Sequence, residues 1–208
     1  MTARLPDGYF DRIYAESADP WQLSTRWYEQ RKYAITMALL PFRRYRHAFE
    51  PGCSIGTLTE QLAGRCDHVT AVDVADAALR HCDHRLQQHG CRQRVTLAQS
   101  SLDDPWPAGP FDLVVLSEVA YYLEADALAA VMRRECPALA SGATVVTAHW
   151  RHDVDDYPLS GDAATEVIVA TPGLTPLGGY RDRDVVIAVF DTGTGLSVAS
   201  REGVPGAS

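Results

Sequence analysis

Ala48-Phe49-Glu50-Pro51-Gly52-Cys53-Ser54-Ile55-Gly56-Thr57-Leu58, followed further along by Val69-Thr70-Ala71-Val72-Asp73-Val74, is the stretch on which the reading of this chain turns. A short apolar run opens into a glycine turn, an amphipathic segment starts at that turn, and the next apolar run ends in the carboxylate of Asp73. In a doubly wound parallel sheet this succession builds a nucleoside pocket at the carboxyl ends of the strands.

Glycine spacing separates two versions of that pocket. A dinucleotide turn wants Gly-x-Gly-x-x-Gly, and counting from Gly52 those positions hold Ser54 and Thr57. A turn for S-adenosylmethionine (SAM) instead has an acid just before the first glycine and a last glycine one helical turn on, which Glu50, Gly52 and Gly56 supply. Ser54 stands where the middle glycine would be, and serine tolerates positive φ less well, so a somewhat altered turn is expected. A glycine turn closing any strand and helix is the plain alternative; Glu50 and Asp73 together weigh against it.

Outward from this stretch, apolar runs and helical periods alternate. Strands are expected at about 46–49, 68–73, 94–98, 111–116 and 143–148, with helices at about 55–64, 75–88 and 125–136, which favours a parallel sheet. A helix at about 162–170 precedes two β segments, about 174–181 and 184–191, whose short Arg/Asp connection predicts antiparallel pairing at one edge. A seven-stranded, mostly parallel α/β sheet with an antiparallel last strand and helices on both faces results. Ahead of the first strand a helical cover is expected over about 9–40, its second part capped by Ser24 or Thr25, with Trp27, Tyr28, Ile35 and Leu39 near one face and Pro41 as the stop. Residues 194–208, rich in Gly and Ser, read as a flexible tail after a single domain of about 1–193.

Composition narrows the class. The 208 residues are 46% hydrophobic, enough for one sizeable core. The net charge is -8 and the only dense basic run is Arg43-Arg44-Tyr45-Arg46-His47, so nucleic acid is not an expected partner. No apolar run reaches bilayer length and the start lacks an apolar leader segment, so the expected compartment is the cytoplasm, with no membrane. Five cysteines, at 53, 66, 82, 91 and 136, lack framework spacing and are expected as thiols. His81, His84 and His89 near Cys82 and Cys91 suggest a metal cluster at first. The helical stripe Ala75, Ala78, Leu79, Cys82, Leu86 turns Cys82 inward and the histidines away, so no metal is expected.

Several stretches together resemble the NodS group, SAM-dependent N-methyltransferases of rhizobial nodulation within the class I methyltransferases. They are Asp19-Pro20-Trp21, Trp27-Tyr28-Glu29, Phe49 to Gly56, Phe111 to Glu118 followed by Tyr121-Tyr122-Leu123, and His149-Trp150-Arg151. The resemblance covers nearly the whole chain. It implies that Glu50, Gly52, Cys53, Ser54 and Gly56 line the methionine end of SAM, that Asp73 takes the ribose hydroxyls, and that Val74, Ser101, Leu102 and Asp103 lie by the adenine. Trp21 and Tyr28 would cover the cofactor, Arg31 would reach its carboxylate, and Glu118 would border it. Trp21 and Tyr28 as plain core aromatics, and Arg31 as a solvated arginine, are the simpler alternatives.

The implied acceptor is the free amine of the non-reducing glucosamine of a de-N-acetylated chitooligosaccharide, the Nod factor precursor. Methyl transfer from a sulfonium is an in-line displacement in which positioning carries most of the rate. An amine must also lose a proton, so Glu118, Tyr122 and His149 are the catalytic candidates, His149 as the base by virtue of its ordinary pKa. Tyr121, Tyr122, Arg151 and Asp162 are candidates for substrate contacts. Two alternatives stay open at this level: methylation of another small N or O acceptor, and a non-catalytic nucleotide-binding protein or NAD oxidoreductase. The oligomeric state is open, with a monomer compatible.

Overall fold

The computed structural model describes residues 5–207. Seven strands form one sheet: β1 (Tyr45–Pro51), β2 (Cys66–Asp73), β3 (Val95–Gln99), β4 (Leu113–Ser117), β5 (Thr144–Trp150), β6 (Thr175–Arg181) and β7 (Val185–Asp191). Their order is β3-β2-β1-β4-β5-β7-β6. β1 to β5 run parallel, while β7 lies antiparallel between β5 and β6. The expected sheet, including its antiparallel hairpin, is the one observed.

Strands in such a sheet are covered on both faces, so they need near-continuous apolar runs. β4 and β7 are buried along almost their whole length. On one face lie α2 (Trp27–Leu39), α3 (Thr57–Arg65) and α4 (Asp76–Gln88), with Tyr33, Leu62 and Leu86 in the core they share. α5 (Ala125–Glu135) and α6 (Gly161–Val169) close the other face around Phe49, Leu128, Met132 and Phe190. Cys82 is buried on α4 and His81 and His84 are exposed, as the helical period predicts.

The strand order reverses between β1 and β4. Ligands of open α/β sheets bind in the crevice at such a switch point, outside the strand carboxyl ends. The loops after β1 and β4 approach closely there: a Cβ added at Gly52 would stand 2.9 Å from Val119 Cγ2.

Three features differ from expectation. The N-terminal cover is two helices, α1 (Asp7–Glu16) and α2, because the Asp19 carboxylate gathers the Leu23 N–H at 2.7 Å, the Ser24 N–H at 3.1 Å and the Ser24 hydroxyl at 2.7 Å into a turn. That spends the hydroxyl expected to cap α2, whose preceding residue is Arg26 with no side-chain cap. Second, α2 buries Glu29, Lys32, Tyr33 and Thr36 and leaves Trp27 73% exposed, so its inward face is charged rather than the aromatic stripe. Third, the segment after Gly193 carries a helical turn, α7 (Val198–Arg201). Arg201 ties it down, 2.8 Å from Asp191 and with its guanidinium 4.5 Å from the Phe42 ring centre.

Candidate active site

A cavity of about 410 Å³ opens at the switch point, walled by α1, α2 and the loops after β1 to β5. It falls within the range of small-molecule sites. Its two ends are built differently.

At the first end the walls are Glu50, Gly52, Cys53, Ser54, Asp73, Val74, Ser101 and Leu102, with Tyr14 and Trp21 above them. Gly52, Ser54 and Gly56 all take positive φ, at 72°, 51° and 79°. Ser54 thus adopts the conformation its position demands of glycine, and the strain is offset locally. Its N–H donates to Asp73 Oδ2 at 2.8 Å, and its hydroxyl is hydrogen-bonded to the Tyr14 hydroxyl of α1. Asp73 Oδ1 accepts the Ala75 N–H at 3.0 Å. The serine that weakened the motif therefore ties α1 to the turn. Gly56 lies behind the wall, where a Cβ would fall 2.5 Å from Cys82 Sγ.

Glu50 stands at the foot of this end, 3% exposed, with no hydrogen-bond partner for Oε2 among the described residues. Burial pushes its carboxyl up to about 8. An unmatched buried carboxyl on a cavity wall calls for a cation from the ligand. A ligand carrying an ammonium group and a ribose diol fits Glu50 and Asp73 together, and SAM has both. Trp21 is placed over the site by the Asp19 turn and packs edge-on against Tyr14, ring centres 5.6 Å apart. Asp103 is off the wall; its Oδ1 accepts the Ser101 hydroxyl at 2.5 Å.

The second end is lined by Tyr28, Glu29, Lys32, Glu118, Tyr121, Tyr122, Trp150 and Tyr157. Glu118 has φ 55°, a rare conformation for a carboxylate residue, and both its oxygens are taken. Lys32 Nζ reaches Oε1 at 2.8 Å; the Tyr121 hydroxyl at 2.7 Å and the Trp150 N–H at 2.8 Å reach Oε2. Lys32, 1% exposed, also pairs with Glu29 at 2.7 Å. Burial alone would raise the Glu118 carboxyl, but the Lys32 ammonium outweighs it and holds Glu118 below its ordinary value. At Glu29 burial prevails over Lys32, and the carboxyl is raised. Tyr121 stacks on Tyr157 with ring centres 5.0 Å apart, and Tyr28 meets Trp150 edge-on at 5.1 Å. The buried Tyr28 hydroxyl has no partner among the described residues; burial raises its pKa, so it stays protonated.

Besides Gly56 and Asp103, four expected residues lie off the wall. His149 is fully buried and off the wall. The Thr165 hydroxyl donates to Gly161 O, so it accepts from His149 Nδ1–H at 2.9 Å, which assigns the tautomer and leaves Nε2 unpartnered among the described residues. Burial pushes the imidazole down to about 4, and a base with no path to the cavity cannot serve it. Arg31 faces the hairpin, held by Asp182 at 2.9 Å and Tyr180 at 2.5 Å, because β6 and β7 offer it acceptors the cavity does not. Arg151 and Asp162 satisfy one another through two bonds of 3.0 Å, and Arg181 adds a third to Asp162.

Sequence reasoning missed Tyr14, Lys32, Tyr33 and Tyr157 on the wall and gave Glu29 and Trp150 no role. Glu29 and Lys32 are an i, i+3 pair that reads as an ordinary surface ion pair. Only the tertiary position of α2 makes it a buried one.

Comparison with known proteins shows the family of the chain that carries this cavity. The family profile "Nodulation protein S (NodS)" matches residues 11–168. Nodulation protein S of Bradyrhizobium diazoefficiens is 31% identical over 196 residues, covering 89% of this chain and 91% of the relative. A Pseudomonas syringae structure provisionally described as a methyltransferase is 32% identical, covers 80% of this chain and 99% of its own, and has a TM-score of 0.67. The N-methyltransferase NodS of Bradyrhizobium japonicum, solved with S-adenosylhomocysteine, shares the fold at a TM-score of 0.76 and 23% identity, over 88% of this chain and 96% of that one.

Proposed function

The chain belongs to the NodS family, and from that premise we propose that it is a SAM-dependent N-methyltransferase acting on the free amine of the non-reducing glucosamine of a de-N-acetylated chitooligosaccharide. One observation carries the reading: the cavity joins a wall with an unmatched buried carboxyl, Glu50, to an aromatic end of net negative charge. The first suits the ammonium of a methyl donor; the second suits a cationic amine on a sugar.

When bound, SAM supplies an activated methyl on a sulfonium. Glu50 would hold its ammonium and Asp73 its ribose hydroxyls, with Val74 and Leu102 against the base and Trp21 above. Glu29, Lys32 and Glu118 sum to one negative charge and attract an arriving ammonium. Tyr28, Tyr121, Tyr122 and Trp150 would offer aromatic surface to a sugar and exclude water from the reacting nitrogen. We infer the cytoplasm as the compartment, in keeping with five free, buried cysteines.

Mass spectrometry of products from matched acetylated and mono-deacetylated oligomers tests the proposal. Acetylation ties the nitrogen lone pair into an amide. Methylation of only the deacetylated oligomer, on nitrogen, is the expected result. Equal methylation of both, or methyl on oxygen, would leave a methyltransferase for a different acceptor.

A further inference from the structure

Two buried acids share one lysine at the aromatic end, but their remaining capacities differ. Glu118 already accepts from Lys32, Tyr121 and Trp150 through its two oxygens. Glu29 is on the cavity wall, 6% exposed, and takes fewer bonds: it pairs with the same lysine, through Oε2 at 2.7 Å, and accepts from the Tyr33 hydroxyl. A carboxylate that already accepts three bonds is a poor proton acceptor, because protonation would break one of them. Glu29 has more to offer an incoming N–H.

We infer that Glu29 receives the proton of the acceptor ammonium, and that Lys32 is the positioning residue that holds its carboxylate on the cavity wall. The inference rests on the amine reading above. A proton passes from the ammonium nitrogen to a Glu29 oxygen, leaving a neutral amine and a neutral acid. The freed lone pair then forms the N–CH3 bond while the S–CH3 bond breaks, its electron pair staying on sulfur. The product is a methylated ammonium and a thioether, and Glu29 returns its proton to water as product leaves.

The groups around Glu29 suit this role. On α2 it pairs with Lys32, accepts from the Tyr33 hydroxyl and lies near Tyr28, with Arg26 at the helix start; from the β4 loop come Glu118 and, beside it, Tyr121, while Glu50 of β1 lies near Tyr33 and His149 of β5 sits behind Tyr121. Burial and the nearby Glu118 charge raise the Glu29 carboxyl, while Lys32 and the Tyr121 hydroxyl hold Glu118 down. Two carboxyls whose surroundings push them apart take different parts, and the raised one is the stronger base. His149 lies off the wall and Tyr28 stays protonated, so neither competes.

Glu29→Gln is isosteric and removes the base alone. We expect S-adenosylhomocysteine to bind it within about twofold of wild type by calorimetry, and kcat/KM for the mono-deacetylated oligomer at pH 7 to fall about a hundredfold or more. The loss should shrink as pH rises toward the free amine's own pKa, since solvent then delivers the neutral nucleophile. Glu29→Asp, which keeps the carboxylate, should retain a pH profile of wild-type shape at reduced rate, and Lys32→Met should move the acid limb upward as two unpaired acids share a proton. A Glu29→Gln profile like that of wild type, or a loss equal at every pH, overturns the assignment. Wild type that methylates no amine at all removes the amine reading itself, and this inference with it.

Discussion

The two ends of the cavity are made by different means. The end beneath β1 and β2 is a backbone structure: three positive-φ residues in five positions, and a strand-end aspartate that accepts two N–H groups of the adjoining loops. The end between α2, β4 and β5 is a side-chain structure, in which Glu118 is held by a lysine 86 residues away and by the Trp150 N–H. A backbone site is specified within a short window of sequence. A site of compensated buried charges is specified only once distant elements meet, and removing one member exposes the others.

That difference ranks the outcomes of substitution. The largest effect should come from Lys32→Met, which leaves two buried carboxylates without their cation; breaking such a pair costs about 3–5 kcal/mol. Urea unfolding at neutral pH measures it. A loss below about 1 kcal/mol would mean that water already compensates these charges, and the contrast between the two ends would dissolve.

His149 supplies an effect of nearly that size with a defined pH sign. Its folded value is held near 4 against an ordinary histidine value of 6.5, about 3 kcal/mol of differential stability. Because the folded value is depressed, the unfolded chain binds the proton more readily below pH 6.5, so stability falls as pH drops from about 6.5 to 4. His149→Gln should flatten that part of the stability profile. If it instead abolishes turnover with stability intact, the imidazole belongs to the site after all.

Asp73→Ala probes the backbone end. It removes two loop hydrogen bonds and the expected ribose contacts, each charge-assisted bond contributing about 1.5–3 kcal/mol, so S-adenosylhomocysteine affinity should drop about a hundredfold. Calorimetry giving unchanged affinity would take Asp73 out of the cofactor site.

Legibility in the sequence follows the same division. Strand periodicity gave the sheet, because strands buried on both faces leave runs such as Leu113–Leu116 that admit no other reading. The placing of Glu50, Gly52, Ser54 and Asp73 on one wall was legible because the turn geometry is local. His149, Arg151 and Asp162 were misread for one reason: residue type shows what a side chain can do, not which neighbour already claims it. Thr165 claims His149, and Arg151 and Asp162 claim each other. Lys32 was invisible for the converse reason, since a lysine on a helix is solvated unless tertiary packing supplies anions. Ser54 had been legible only as a departure from glycine, whereas its hydroxyl is the link to Tyr14.

A smaller effect should appear at Glu50. With the carboxyl raised to about 8, the free protein carries it protonated at pH 7, and a ligand ammonium would favour the ionised form. Binding of S-adenosylhomocysteine should therefore release up to one proton, and affinity should climb up to about tenfold per pH unit between pH 6 and 8. Calorimetry in buffers of different ionisation enthalpy reads the release directly. Glu50→Gln should abolish it, and proton release persisting in that variant would assign the linkage to another group.

The smallest effect concerns which part of the N-terminal cover moves. α2 packs Tyr33 into the main core and anchors Lys32 between Glu29 and Glu118, so it is scaffold. α1 and the Asp19 turn are held differently, by the Tyr14–Ser54 hydrogen bond and a small cluster of Tyr14, Ile55, Ala75 and Ala78 with Phe10 and Trp21. Few buried contacts mean a low local opening free energy. Ligand beneath Trp21 and Tyr14 should slow amide exchange across about 10–24 by a few fold and leave 29–39 unchanged. Ser54→Gly should erase the tether while relieving the positive φ, so exchange in α1 should rise in the free protein with little change in S-adenosylhomocysteine affinity. Protection that appears in α2 instead would make the charged helix the moving cover, and the aromatic end of the cavity would then be assembled by ligand rather than preformed.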